Sequence, residues 1–595
     1  MILSRRFASM TFCFLISILF AGCSNKRPDA LKVLAGTDCY NLQKKAESFV
    51  PTSGTRGGEL VLAAYYGPRS LNPYTATYPS SAEITGLLYD GLVRINGATQ
   101  KIEPALCERW EFLENGHILK LHLRHGLRWS DSVPISAADV AFTFNDIVFN
   151  RSQKLSTLST LWADSDSLPR MTIIDSLTIE CRTGSTCISI LNCLTFPVLP
   201  YHKYAKYVAS GIFPAALSVR TNPDSIVCSG PFVFESYIPG QKIILARNPL
   251  YYRTDALGTH LPYLDKIVFT TVSDHADAAL MFARGETDYL AGIAVDKAIL
   301  DSAKKPQQFS THTPGPARGT TVLTFNQNTA LDPTSGKPFV DSNKTALFTN
   351  AIFRKAISTG LNRQNMIGRA FGGEGTVLTG PLSPSDNRYA STDVALYPFS
   401  KVKAQQLLKD GGFTLSENKN VLTDPCGNVV SFSLLVSGGN AAQLTLADCI
   451  RTDCAALGIR ITIDTLEYAE IISKLSVGPY AWDAALLSFS GSMDPWTLRT
   501  IWHSRGAFHL WYPDQHAPLP PWQASIDSIF DVAGCQSSDA QKTILYDRWQ
   551  RIASEELPFI FLVAPERILA ISNKVKNICP SVYGGLLHNI EWLYK

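Results

Sequence analysis

Three groups of side chains in this 595-residue sequence have the types from which chemistry is built. His503, His509 and His516 share one aromatic region, but their spacing matches no compact zinc motif. A helix would put no two of them at i, i+4, so solvated or hydrogen-bonded loop histidines are expected. Cys181, Cys187 and Cys193 recur at every sixth residue, and a bridge among them is open to an exported chain. His117, His122 and His125 cluster on one hairpin, where a surface role is expected. Nucleophile, zinc-protease and phosphate-loop patterns are absent: Gly336-Lys337 runs into Pro338, and Gly372-Gly373-x-Gly375 has no strand–helix context. Glu555 and Glu556 are sequence neighbours and need not converge as an acid–base pair must. No catalytic residue, metal site or cofactor is expected, and the chain does not read as an enzyme.

Covalent chemistry is expected at the N-terminus instead. Arg5 and Arg6 precede an apolar stretch, Phe7 to Ala21, long enough for a secretory core but short of the ~20 residues that span a bilayer. It ends in Leu19-Phe20-Ala21-Gly22-Cys23, which resembles the lipobox of bacterial lipoprotein signal peptides. That resemblance implies a signal peptide over 1–22, cleavage before Cys23 and diacylglycerol on its thiol. The chain would then be exported to the cell envelope or periplasm and anchored to the membrane through Cys23. Residues 23–57, polar and broken by Pro and Gly, read as a lipidated tether with a helical turn or two near Leu42–Phe49. A net charge of +3, with 45% hydrophobic and 18% charged residues, gives no electrostatic reason to expect nucleic acid as a partner. Of thirteen cysteines, Cys13 lies in the signal segment and Cys23 at the anchor; the odd remainder leaves at least one thiol without an intrachain bridge.

The elements that would position a site follow from period and punctuation. Length implies two or three lobes. Trp110 and Phe112 share one strand face, Asn115-Gly116 signals a two-residue hairpin turn, and Leu119, Leu121 and Leu123 alternate with polar residues on the return. Ser136 and Asp139 offer a cap for a following helix. Helices are expected over Asp274–Arg284, Lys344–Leu361 and Asp539–Ala553. Ser431–Val436, Gln443–Leu457 and Ile459–Ile463 make a β-α-β unit.

The run Leu121-His122-Leu123-Arg124-His125-Gly126, Trp129-Ser130-Asp131-Ser132-Val133-Pro134 and Asp139-Val140 resembles the signature of the family 5 bacterial extracellular solute-binding proteins. Ser132 stands where that pattern has glycine. Tyr89-Asp90-Gly91-Leu92, Ser229-Gly230-Pro231-Phe232, Arg247-Asn248-Pro249, Gly285-Glu286-Thr287-Asp288 and Asp494-Pro495 add to the resemblance in order. It implies an α/β two-lobed periplasmic-binding-protein fold, a flytrap with an extra domain inserted in the first lobe. Lobe I would take 58–97, 224–317 and 557–595, the inserted domain 98–223, and lobe II 318–556. It also implies a substrate-binding protein of an ABC importer, whose partners are a peptide or peptide-like solute and permease subunits with a cytoplasmic ATPase. The same fold used at the cell surface for adhesion rather than transport is the alternative.

Ligand-contacting residues implied are Tyr65 and Tyr66, Asn326, and the loop Ser488, Phe489, Ser490, Gly491, Ser492 and Asp494. Peptide-binding members hold the free ammonium with a carboxylate four residues before the proline of the Asp-Pro pair. Here that position is Gly491. A modified or blocked peptide, or another solute, is therefore expected in preference to a free peptide N-terminus.

Overall fold

The computed structural model describes residues 37–595 apart from 66, 77–78, 154–167, 185–186, 294–296, 303–307, 333–334, 386–388, 417–419, 493 and 516–519. The signal segment, Cys23 and the tether up to residue 36 lie outside the described residues, as do Tyr66 and His516.

The first described element, α1 (Thr37–Glu47), corrects the expected tether. Cys39, Gln43 and Ala46 fall on one helical face. Cys39 packs on Val582 and Tyr583, and Ala46 on Ala98 and Cys579. Gln43 accepts from the Val582 N–H at 3.3 Å. This stretch is docked on the C-terminal segment because its apolar side has a surface to cover.

The chain then forms β1 (Glu59–Tyr65) and α2 (Pro79–Leu88) before leaving for the inserted domain. There β2 (Cys107–Leu113) and β3 (Ile118–Leu123) make the hairpin, α3 (Ala137–Phe142) follows, and β4 (Arg170–Ile173) and β5 (Thr178–Arg182) complete a four-stranded sheet in the order β2-β3-β5-β4. The hairpin turn is longer than the two residues expected. Leu113 pairs with Ile118, and Glu114, Asn115 and Gly116 all take positive φ (48°, 55° and 88°). The cap is as expected: the Ala138 N–H donates to Ser136 Oγ at 3.3 Å, and Asp139 Oδ2 accepts from the Ser136 N–H at 2.9 Å.

Back in lobe I come β6 (Phe232–Ile238), β7 (Lys242–Arg247), β8 (Lys266–Val272), α4 (His275–Arg284), β9 (Tyr289–Ile293) and β10 (Phe309–His312). After a crossover the chain enters lobe II with β11 (Thr320–Phe325), α5 (Ser342–Thr349) and α6 (Ala351–Gly360). The single helix expected over Lys344–Leu361 is two. Asn350 takes an extended conformation (φ −72°, ψ 109°), and its side chain accepts from the Ile352 and Phe353 N–H groups, capping the second helix. The β-α-β unit is β12 (Ser431–Ser437), α7 (Ala441–Ala455) and β13 (Arg460–Leu466), with β12 and β13 parallel. Then β14 (Ala484–Phe489), α8 (Pro521–Gly534), α9 (Asp539–Glu556) and β15 (Phe559–Phe561) precede the return to lobe I as β16 (Arg567–Ser572).

Lobe I is a seven-stranded sheet, β10-β16-β9-β1-β8-β7-β6, and lobe II a five-stranded one, β13-β12-β14-β11-β15. Both faces of the lobe II sheet are covered, so the first four residues of β14, Ala484 to Leu487, read as an unbroken apolar run. Its Ala484 and Leu486 join one core with Phe325, Leu434 and Ile560, while Ala485 and Leu487 join the other with Val322, Phe559 and Phe561. Those aromatic contacts also correct a boundary. β15 pairs with β11, and Val563–Pro565 pairs with Gly375–Val377, so the chain stays in lobe II past 557 and rejoins lobe I at β16. The inserted domain is no separate core: Leu119, Leu121, Trp129 and Val140 belong to one cluster with Leu60, Leu62 and Leu569 of lobe I.

The two crossovers run side by side. The Arg567 N–H donates to the Gly315 carbonyl at 3.0 Å and the Ala317 N–H to the Pro565 carbonyl at 2.7 Å. This doubled connection is the hinge of the flytrap.

Candidate functional site

The loop leaving β14 is held against the hinge by backbone contact. Thr320 pairs with Phe489, and Gly319 has φ 89°. A Cβ on Gly319 would stand 1.9 Å from the Phe489 carbonyl oxygen and 3.0 Å from the Gly491 nitrogen. Only glycine allows this approach. The loop therefore emerges beside the hinge, with Ser488 and Ser490 exposed and Phe489, Gly491 and Ser492 half-buried. Ser488 Oγ lies 3.1 Å from Thr321 Oγ1 and accepts from Gln443 Nε2 at 3.2 Å. Beneath Phe489 and Ser490 a small cavity of about 20 Å³ is walled by Val322, Leu498, Trp502 and Phe561.

Tyr65 ends β1, half-buried, with its hydroxyl 3.0 Å from His275 Nδ1 at the start of α4. Its ring lies 4.6 Å from the imidazole, centroid to centroid. Asn326 is not brought to this place. It follows β11 at the end opposite Thr320 and Phe489, about 20 Å away along the strand. It is fully buried, and Nδ2 donates to the Tyr480 and Trp482 carbonyls at 2.8 and 3.1 Å while Oδ1 accepts from the Asn328 N–H. Its amide is spent on holding the chain.

Asp494 is equally committed. Its carboxylate accepts from Lys542 Nζ at 2.7 Å, the Tyr546 hydroxyl at 2.8 Å, the Trp496 N–H at 3.0 Å and Asn192 Nδ2 at 3.2 Å. Burial alone would raise this carboxyl; the Lys542 ammonium and the hydrogen bonds outweigh it and hold the group below the usual range. Asn192 lies in the 98–223 segment and Lys542 in α9, so Asp494 ties that segment to lobe II. Lys542 Nζ also reaches Ser189 Oγ at 3.3 Å, and the Ser189 N–H donates to the Gly534 carbonyl at 3.1 Å. Sequence reasoning missed this clasp, because Ser189, Asn192, Asp494 and Lys542 share no motif and meet only in the tertiary fold.

A larger cavity, about 430 Å³, opens in lobe II near the Asn326 end, lined by residues including Tyr480, Arg505, His509, Asp514 and Gln515. His509 is buried, its Nδ1 3.1 Å from the Ile501 carbonyl, and burial pushes its imidazole down to about 4. Among the described residues, no three His, Cys, Asp or Glu side chains are placed to hold a metal ion. The eleven cysteines of the described region are all thiols, with Cys181, Cys187 and Cys193 buried.

The arrangement is a binding geometry: a hinge, an exposed loop edge on lobe II and the end of β1 on lobe I. Comparison with known proteins agrees with it. A "Probable ABC transporter-binding protein" of Deinococcus radiodurans is 24% identical over 537 residues, 85% of this chain and 87% of its own length. The oligopeptide-binding protein AppA of Bacillus subtilis, solved with a nonapeptide, superposes with a TM-score of 0.70 at 20% identity over 91% of this chain and 99% of its own. The periplasmic binding protein MelB of Agrobacterium fabrum, solved with stachyose, gives a TM-score of 0.75 at 21% identity over 96% and 89%. The model of the bacterial extracellular solute-binding proteins, family 5 (middle), matches residues 101–508. The chain belongs to the family 5 bacterial extracellular solute-binding proteins.

Proposed function

We propose that this chain is the lipid-anchored substrate-binding protein of an ABC importer, capturing a peptide or peptide-like solute between its lobes and delivering it to permease subunits driven by a cytoplasmic ATPase. The observation that carries the reading is the Ser488–Ser492 edge beside the doubled hinge. An exposed strand end there offers main-chain partners to an extended solute, and closure about the hinge would cover it. A relative of this fold was solved with a nonapeptide, which fits that use. A second reading, an oligosaccharide, is favoured by Gly491, which stands where peptide-binding members carry the carboxylate for a free ammonium, and by the relative solved with stachyose. Native mass spectrometry of protein purified from its host tests both. A recurrent co-purified peptide supports the first and a sugar the second. An empty cleft that never closes on added peptide or sugar would leave the adhesive role.

A further inference from the structure

The 430 Å³ cavity of lobe II lies at the end of β11 away from the hinge loop. Tyr480, in its wall, accepts from Asn326 Nδ2 through its carbonyl at 2.8 Å, which fixes the cavity to that end. Its volume falls in the range of small-molecule sites. His509, also in the wall, is 2% exposed. Its Nδ1 is 3.1 Å from the Ile501 carbonyl and its Nε2 is 2.8 Å from the Gln515 side-chain amide. Burial keeps this ring neutral, with a single N–H. A backbone carbonyl can only accept, so the hydrogen sits on Nδ1 and Nε2 is left with a lone pair. An amide exchanges its oxygen and nitrogen by a half-turn. Gln515 therefore gives an N–H to Nε2 and turns its oxygen away from the ring. Gln515 is 4% exposed and lines the cavity, and the far half of its amide has no hydrogen-bond partner in the protein. A buried acceptor is costly to leave unmatched, and the space beside it admits a donor.

The rest of the wall selects the donor. Arg505 and Asp514, opposite in charge and both exposed, line the same cavity. The Tyr480 hydroxyl donates to Asp514 and holds that carboxylate in place, with lone pairs still open to a cation. Leu475 and Leu510, both buried, supply an apolar side. We propose that this cavity is a second binding site, separate from the cleft, for a free α-amino acid with an aliphatic side chain. The Gln515 oxygen and the Asp514 carboxylate receive its ammonium, Arg505 its carboxylate, and Leu475 and Leu510 its side chain. The site does not depend on what the cleft takes.

The test is calorimetry on the full mature chain with three probes: L-leucine, isopentylamine, which lacks the carboxylate, and 4-methylpentanoate, which lacks the ammonium. L-leucine is expected to bind one to one, and each single-charge probe at least about tenfold more weakly. Arg505→Gln and Asp514→Asn, both at exposed positions, and Gln515→Met are each expected to weaken leucine by about tenfold or more. Melting checks the fold of each. Gln515→Met also takes a donor from His509, so where it fails to fold the two exposed variants decide. Absence of leucine binding means a cavity that holds water only; it overturns the site and leaves capture in the cleft standing. Leucine binding that survives unchanged in both Arg505→Gln and Asp514→Asn lies elsewhere on the protein and overturns it too. A single-charge probe that binds as well as leucine overturns the amino-acid assignment.

Discussion

Ser132 takes φ 71° in the turn after β3, a left-handed conformation that costs an L-residue with a Cβ about 1–2 kcal/mol. Glycine pays more backbone entropy, so Ser132→Gly is expected to raise stability by about 0.5–1 kcal/mol, read as a higher denaturation midpoint with unchanged slope. Gly319 behaves oppositely. With the Phe489 oxygen 1.9 Å from any added Cβ, Gly319→Ala must pull β11 away from the loop. A loss of more than about 2 kcal/mol in a denaturant melt is expected, and an unchanged midpoint would show that the loop does not rest on the hinge. The sequence made Ser132 visible, because a turn pattern with one glycine missing marks a backbone conformation. It did not mark Gly319, whose constraint comes from a strand more than 160 positions away. Asn326 shows the same limit: a polar residue at a strand end suits a ligand or a backbone clamp equally well, and only its neighbours Tyr480 and Trp482 decide.

At the scale of elements, periodic segments were readable and their ends were not. The β12-α7-β13 unit and α4 follow their apolar spacing, whereas α5 and α6 part at an asparagine whose side chain competes for the backbone. Pairings between distant elements carried no signal, and the clasp is the main example. The Ser189–Asn192 stretch meets Asp494, Gly534 and Lys542 through hydrogen bonds, which are expected to break if the lobes open. Lys542→Ala leaves a buried carboxylate without its cation and is expected to cost about 3–5 kcal/mol. The double change Asp494→Asn, Lys542→Met removes both charges. It is expected to recover most of that loss while the unliganded lobes open, seen as a larger radius of gyration in solution scattering; an unchanged radius would mean the clasp does not hold the lobes. The pH dependence has a fixed sign. Asp494 is depressed in the folded state, so its contribution is complete above about pH 4, the unfolded carboxyl value, and is lost as pH falls through the lower folded value.

Across the whole molecule, the docked α1 sets how far a lipidated Cys23 would hold the body from a membrane. Were residues 23–57 all tether, the chain from Cys23 to β1 would reach roughly 120 Å when extended. With α1 seated on Val582, Tyr583 and Cys579, residues 24–36 alone separate Cys23 from the folded body. That would limit the reach of a lipidated Cys23 to about 45 Å, which would hold the body close to the membrane it is anchored in. If Cys23 carries acyl chains, each buried methylene adds about 0.8 kcal/mol of membrane affinity, and more than one chain is needed for stable anchoring. Cys23→Ser is therefore expected to leave the chain at its unprocessed mass without a lipid label. A normal mature mass in that variant would sink the anchor. The reach argument has its own readout. Lengthening the chain after residue 36 with a flexible Gly-Ser segment keeps the lipid and the fold but dilutes the cleft around its permease, so uptake should fall while solute affinity in solution stays constant. Equal uptake would show that delivery does not depend on the short span that α1 imposes.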